Sequence, residues 1–105
     1  MPEKYSLKIL PSAARNLDET FEYISRILEN SSAATNLIEE ISEALDLVRY
    51  NPEMCPLVKS ERVSKPDFRR LKVKKYLIFY RVDHKNKEIK VYRVIYAKRK
   101  YEDIL

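Results

Sequence analysis

The 105-residue sequence contains no glycine. A Gly-rich phosphate cradle, whether P-loop or dinucleotide-binding, is thereby excluded, because both need glycine for the backbone to approach phosphate closely. Turns must be built from Asn, Asp, Ser and Pro. Cysteine occurs once, at Cys55, so an internal disulfide and a cysteine metal cluster are excluded as well. The single histidine, His84, falls in a polar turn. Cys55 therefore has no evident base to activate it and reads as a packing residue in the Met54-Cys55-Pro56 loop. No apolar run is long enough to cross a membrane and no leader sequence is evident. The expectation is a soluble, cytoplasmic protein with no membrane partner.

What is present fits one domain over residues 1–105, long enough to bury a core without metal or disulfide staples. The formal net charge of +5 conceals a division along the chain. Residues 1–55 carry five bases against ten acids, and residues 56–105 carry sixteen bases against six acids. Such asymmetry points to one surface that meets something acidic, either nucleic acid or an acidic protein.

Periodicity supplies the elements. Tyr5 to Leu10 alternates as a strand, with Tyr5, Leu7 and Ile9 on one face. Pro11 ends it, and Ser12 stands where a helix N-cap belongs. Ala14, Leu17, Phe21, Ile24 and Leu28 then recur at steps of three and four, one apolar stripe on a helix. Asn30 is suited to the left-handed conformation that stops a helix. Ser31 or Ser32 caps a second helix, with a stripe of Ala34, Leu37, Ile38, Ile41, Ala44, Leu45 and Val48 that closes at Asn51-Pro52. So short a link predicts an antiparallel helical hairpin. Glu39, Glu40, Glu43 and Asp46 read as its solvated face. Residues 52–67, with three prolines, read as a surface loop.

Three strands follow, about Phe68–Lys74, Tyr76–Asp83 and Glu88–Ala97. Lys74-Lys75 makes the first turn. Residues 83–87 make the second, with Asn86 suited to positive φ. The end, Lys98–Leu105, is expected as a short helix or tail with Ile104 and Leu105 on the core. The fold class is α+β, in the order β-α-α-β-β-β, with an antiparallel-dominated sheet and the two-helix hairpin packed on one face. Arg70, Lys72 and Lys74 share one side of the first late strand, opposite Arg69, Leu71 and Val73. In the last strand, Ile89, Val91, Arg93 and Ile95 oppose Lys90, Tyr92, Val94 and Tyr96, and the pattern favours neither set for the core. Cations and rings on an open sheet face make a platform for polyanions, and the same pattern fits a solvated basic surface. Tyr76 and Tyr80 read as sheet packing, and Arg81 and Arg93 either as functional cations or as partners of helix carboxylates.

Taken together, several segments resemble the RelE/ParE superfamily, the small toxins of type II toxin–antitoxin modules. They are Tyr5-x-Leu7, the Ala14 to Asp18 stretch with Asn16 and Leu17, Phe21-Glu22-Tyr23-Ile24, and Ala44-Leu45-x-Leu47 ahead of Asn51-Pro52. The sharpest are Arg69-Arg70-Leu71, Tyr76 to Val82, and Arg93 through Tyr101. The resemblance spans nearly the whole chain. It implies the fold above and a toxin that arrests growth, neutralised by a tightly bound antitoxin. One branch of that superfamily cleaves mRNA on the translating ribosome, and another poisons DNA gyrase. The two long helices resemble the gyrase-directed branch.

The resemblance implies no cofactor. It makes Arg69, Arg81, Arg93, Arg99, Tyr96 and Tyr101 the catalytic candidates if the chain is a metal-independent endoribonuclease. Arginines would stabilise the developing phosphorane charge, and Tyr96 or Tyr101 would move a proton. Arg70, Lys72, Lys74, Lys98 and Lys100 would contact nucleic acid or the antitoxin. Leu77 stands where the nuclease branch commonly has an arginine, and Tyr96 where it often has a histidine. A third reading is a non-toxic homologue that keeps only antitoxin binding.

Overall fold

The computed structural model describes residues 4–59 and 67–98. Strand β1 (Ser6–Ile9) opens the fold, and Tyr5, Leu7 and Ile9 pack on the core as alternation predicts. Helix α1 (Pro11–Glu22) begins one residue later. Its N-cap is Leu10, with no side-chain capping bond, and Pro11 occupies the first turn. The sequence placed the cap at Ser12. The sheet decides otherwise: the Leu10 N–H donates to the Val91 carbonyl at 3.0 Å and holds Leu10 extended. Proline with its fixed φ then starts the helix, and its missing N–H is one the helix would leave unpaired anyway.

The first helical stripe is only partly used. Ala13 is fully buried, and Leu17 and Ile24 pack on the core, but Phe21 and Leu28 are 39% and 54% exposed. After Glu22 the helix widens into a π-helical turn, Tyr23–Ile27, in which the Leu28 N–H reaches the Tyr23 carbonyl at 3.1 Å. The wider turn breaks the 3.6-residue period and carries the following side chains off the stripe. Glu29, not Asn30, takes the left-handed conformation, with φ 51°. Asn30 instead caps helix α2 (Ser31–Tyr50) by accepting the Ala33 N–H at 3.0 Å. Asn matches Ser in that role, so the serines fall inside the helix. The α2 stripe is as read: Ala34, Leu37, Ile41, Leu45 and Val48 are buried.

Strands β2 (Arg69–Val73), β3 (Tyr76–Asp83) and β4 (Glu88–Tyr96) join β1 in a sheet of order β1-β4-β3-β2. Neighbours β2–β3 and β3–β4 are antiparallel, and β1 runs parallel to β4. A parallel partner needs a long crossover, which the two helices provide while covering one sheet face. The main core lies between them, with Leu37, Ile41 and Val48 against Leu71, Ile78, Tyr80, Ile89 and Val91.

Strand β4 carries a bulge. Tyr80 pairs with Val91 and Phe79 with Arg93, so Tyr92 is an extra residue. Neither alternation set of β4 therefore faces the helices as a whole. Ile89, Val91 and Val94 join the main core, whereas Ile95 joins a second cluster on the opposite face. That cluster is Val58 and Phe68 over Leu77, Phe79 and Ile95. The described part of the expected surface loop is thus tied to the sheet. Leu57 bridges Arg69, Val58 N–H donates to Phe68 at 2.8 Å, and Arg70 N–H donates to Pro56 at 3.0 Å. Unpaired groups on the β2 edge are what the segment satisfies.

Positive φ falls on Lys74 and Lys87 in the two hairpin turns, not on Asn86. Asn86 is held by Asp83, which accepts its N–H at 3.0 Å and its side-chain amide at 2.8 Å. The expected helix or tail beyond Lys98, with Ile104 and Leu105, lies outside the described residues.

Candidate functional site

Residues directly opposite across a sheet project from the same face. Arg70 pairs with Phe79 and Phe79 with Arg93, Lys72 pairs with Leu77, and Arg81 pairs with Lys90. All of these cations therefore stand on the face away from the helices. Arg70 and Lys72 are exposed and border a groove of about 450 Å³ with Met54, Pro56, Leu77 and Ala97. Arg93 is half-buried and makes no hydrogen bond or ion pair among the described residues.

Arg81 is differently placed. It donates from Nε to Asp67 Oδ1 at 2.6 Å and from Nη2 to Oδ2 at 2.9 Å. Its guanidinium also lies about 6 Å from the rings of Phe68 and Tyr92. The Asp67 hydrogen bonds, ahead of the opposing effect of burial, hold Arg81 above the ordinary arginine value. Bidentate pairing of this kind fixes position. Arg81 clamps the segment before β2 to the sheet, and its carboxylate partner comes from that segment and not from a helix.

Arg69 faces the helix side opposite Tyr80. Its Nη1 donates to the Cys55 carbonyl at 2.7 Å and the Glu53 carbonyl at 3.4 Å, and its side chain is 17% exposed. It holds residues 53–55 in place. Below it, Tyr80 is fully buried and donates to the Pro52 carbonyl at 3.0 Å. Burial first, and the neighbouring Cys55 second, push its phenol far up, so it stays neutral. Lys74 turns to Glu40 of α2, 3.4 Å away. Lys98 is exposed just beyond β4, and Arg99, Lys100 and Tyr101 lie outside the described residues.

Tyr96 pairs with Tyr76 and so stands on the helix side, with ring centroids 5.6 Å apart. The two rings border a cleft of about 800 Å³ whose far wall is Tyr23, Ile24 and Leu28. Burial, then Tyr96 and Tyr23, raise the Tyr76 phenol. The structure therefore brings Arg70, Lys72, Arg81 and Arg93 to one face and leaves Arg69 and Tyr96 on the other.

Two features escaped the sequence. The cleft is one, although Tyr23, an aromatic residue off the stripe, was a signal for it. The other is a chain from Tyr5 through His84 to Glu53. Tyr5 Oη lies 2.8 Å from His84 Nδ1, and His84 Nε2 lies 3.0 Å from Glu53 Oε1. Three segments distant in sequence build it, and no local pattern announces it.

Residues 7–101 match a family model described as the ParE toxin of the type II toxin-antitoxin system, parDE. No curated protein matches the chain significantly. Among solved structures, a chromosomal ParDE toxin–antitoxin system from P. aeruginosa superposes with a TM-score of 0.70 at 21% identity, covering 90% of this chain and 98% of that one. The archaeal RelE–RelB complex of Pyrococcus horikoshii gives 0.60 at 20% identity, over 93% of this chain and 100% of that one. The RelBE2 toxin–antitoxin complex of Mycobacterium tuberculosis gives 0.59 at 14% identity, over 90% and 99%. These likenesses establish the fold, and the family match covers almost the whole sequence. This chain belongs to the ParE toxin family, within the RelE/ParE superfamily of type II toxins.

Proposed function

We propose that this chain arrests growth by binding DNA gyrase, and that an antitoxin bound to it in a tight complex neutralises it. The observation that carries the binding reading is the division of the candidate residues between two faces. RNA cleavage needs a proton donor, a proton acceptor and charge-stabilising groups within hydrogen-bond reach of one phosphate. Tyr96 is on the helix side of the sheet, while Arg81 and Arg93 are on the other. Arg81 is further committed to Asp67. Arg70, Lys72 and Arg93 remain as a cationic face suited to an acidic or phosphate-bearing surface of the target. The ParE family match supports the gyrase branch over the ribosome-dependent one.

Pulse-labelling of protein and DNA synthesis after tightly controlled induction of the chain tests this. DNA synthesis falling first supports gyrase as the target. Protein synthesis falling within minutes, with DNA synthesis following, replaces this reading with mRNA cleavage on the ribosome, and Arg99 and Tyr101 then become the residues to mutate. If neither falls while the folded protein accumulates, the chain is a non-toxic homologue that keeps antitoxin binding.

A further inference from the structure

Rows of paired residues cross the open face of the sheet, and Lys8 of β1 belongs to one of them. Lys8 pairs with Lys90 and Lys90 with Arg81, so these three share the face that carries Arg70, Lys72 and Arg93. The order β1-β4-β3-β2 puts Lys8 on one edge strand and Arg70 and Lys72 on the other. Three strand spacings separate the two edges, about 15 Å. Lys8, Arg70, Lys72 and Arg93 make no ion pair among the described residues. Arg81 is neutralised by Asp67, and Lys90 is loosely held, 3.7 Å from Asp83 and 4.0 Å from Glu88. Helix acids are spent elsewhere: Glu40 meets Lys74, and Asp46 meets Lys4 and Arg49. Unneutralised cations therefore reach across this face from edge to edge.

Charge density and the state of the rings give the occupant its chemistry. Duplex DNA carries one negative charge per ~1.7 Å of its axis, so a span of about 15 Å offers on the order of nine. Such an array matches cations spread over a rigid sheet. A single strand is held differently, by stacking its bases on exposed aromatic rings. On this face Phe68 and Phe79 are 2% and 0% exposed. Tyr92 stands edge-on to Phe68, with ring centroids 5.0 Å apart, and the Arg81 guanidinium lies 5.9 Å from its ring centroid. The rings are thus used within the fold, and the cations are left to meet phosphates whose bases stay stacked in their own duplex. The aromatic wedge lined by Tyr23, Tyr76 and Tyr96 opens on the opposite side of the sheet.

We propose that Lys8, Arg70, Lys72 and Arg93 form a seat for the sugar-phosphate backbone of duplex DNA, held without regard to base sequence. This rests on the gyrase reading above and deepens it: the cationic face meets the DNA that the target enzyme holds, and the chain bridges enzyme and DNA.

The test uses the full chain and, as probe, a fluorescein-labelled DNA duplex of mixed sequence, followed by anisotropy over a range of salt. Four phosphate contacts predict a slope of log K against log salt of about −3.6, a loss of about 150-fold in affinity between 50 and 200 mM. Lys8→Ala, Arg70→Ala and Lys72→Ala are each expected to reduce that slope by about 0.9. Arg26→Ala removes the same charge from the exposed side of the π-helical turn, where it pairs with Glu22, and is expected to leave affinity within about twofold. Lys8, Arg70 and Lys72 are exposed, so their variants should fold, and far-UV circular dichroism checks it. Absence of duplex binding at 50 mM salt, an unchanged slope in all three face variants, or tighter binding of single-stranded DNA or RNA than of the duplex overturns the proposal. Capture of purified, DNA-free gyrase is measured separately. If the wild-type chain binds the duplex as expected but captures no gyrase, the gyrase reading falls and the DNA seat stands.

Discussion

Replacing Asn16 with Leu removes one acceptor from a place where the fold has no substitute. Asn16 Oδ1 accepts the Val94 N–H at 3.1 Å, across 78 residues of sequence. Val94 is 4% exposed and lies just past the β4 bulge, where the ladder is displaced. Leu shares the γ-branched shape of Asn but is larger, and at this half-exposed position the main change is the lost acceptor, which orphans the donor. An unsatisfied buried backbone donor costs about 1–3 kcal/mol, and the partial exposure of Asn16 places the expected loss near the middle, about 2 kcal/mol. For a chain of this size that is a fall in Tm of about 8–10 °C. Urea denaturation measures the loss, and hydrogen exchange at the Val94 amide localises it. Asn16→Asp keeps an acceptor oxygen and should recover most of the stability at neutral pH. A loss below about 0.5 kcal/mol in the Leu variant, the size of an ordinary surface change, would refute the reasoning. So would equal destabilisation by Leu and Asp.

Three further outcomes follow from the same structure. Asn30→Ala removes the N-cap of α2 and should cost about 1 kcal/mol by chemical denaturation, while Ser31→Ala should cost little. Arg93→Glu should leave the fold intact and abolish growth arrest on induction; a variant that still arrests growth removes Arg93 from the target-binding face. The pH dependence turns on Asp83, whose carboxyl the Asn86 amide holds below the ordinary aspartate value. A depressed folded-state value stabilises above the unfolded-state value, and that contribution is lost as pH falls through the folded one. Asn86→Ala should therefore raise the Asp83 titration midpoint in a carbon-detected NMR titration. The stability gap between wild type and variant should be present at neutral pH and close on acidification; a gap that widens in acid contradicts the assignment.

Much of the fold was legible because its signals are local. The α2 stripe and the three late strands depend on periodicity within ten to twenty residues, and the structure places them within a residue or two of expectation. Caps were less legible. Asn30, Ser31 and Ser32 can each cap a helix, and only the path of the chain out of the π-helical turn selects Asn30. At Leu10 the choice belongs to a strand 81 residues away in sequence but adjacent in space, because its N–H is spent on Val91.

By itself the sequence determined the element order, the separation of acidic and basic halves, the absence of a glycine-built phosphate site and the resemblance to a toxin superfamily. Tertiary structure alone decided how β4 divides its side chains. Alternation offered two complete sets, Ile89-Val91-Arg93-Ile95 and Lys90-Tyr92-Val94-Tyr96, and the bulge at Tyr92 uses the first half of one and the second half of the other. A bulge adds a residue without any mark in composition, and every side chain beyond it changes face. That change sets Tyr96 beside Tyr76 and the helices while Arg93 stays with Arg81 and Arg70, and so separates the aromatic wedge from the cationic face.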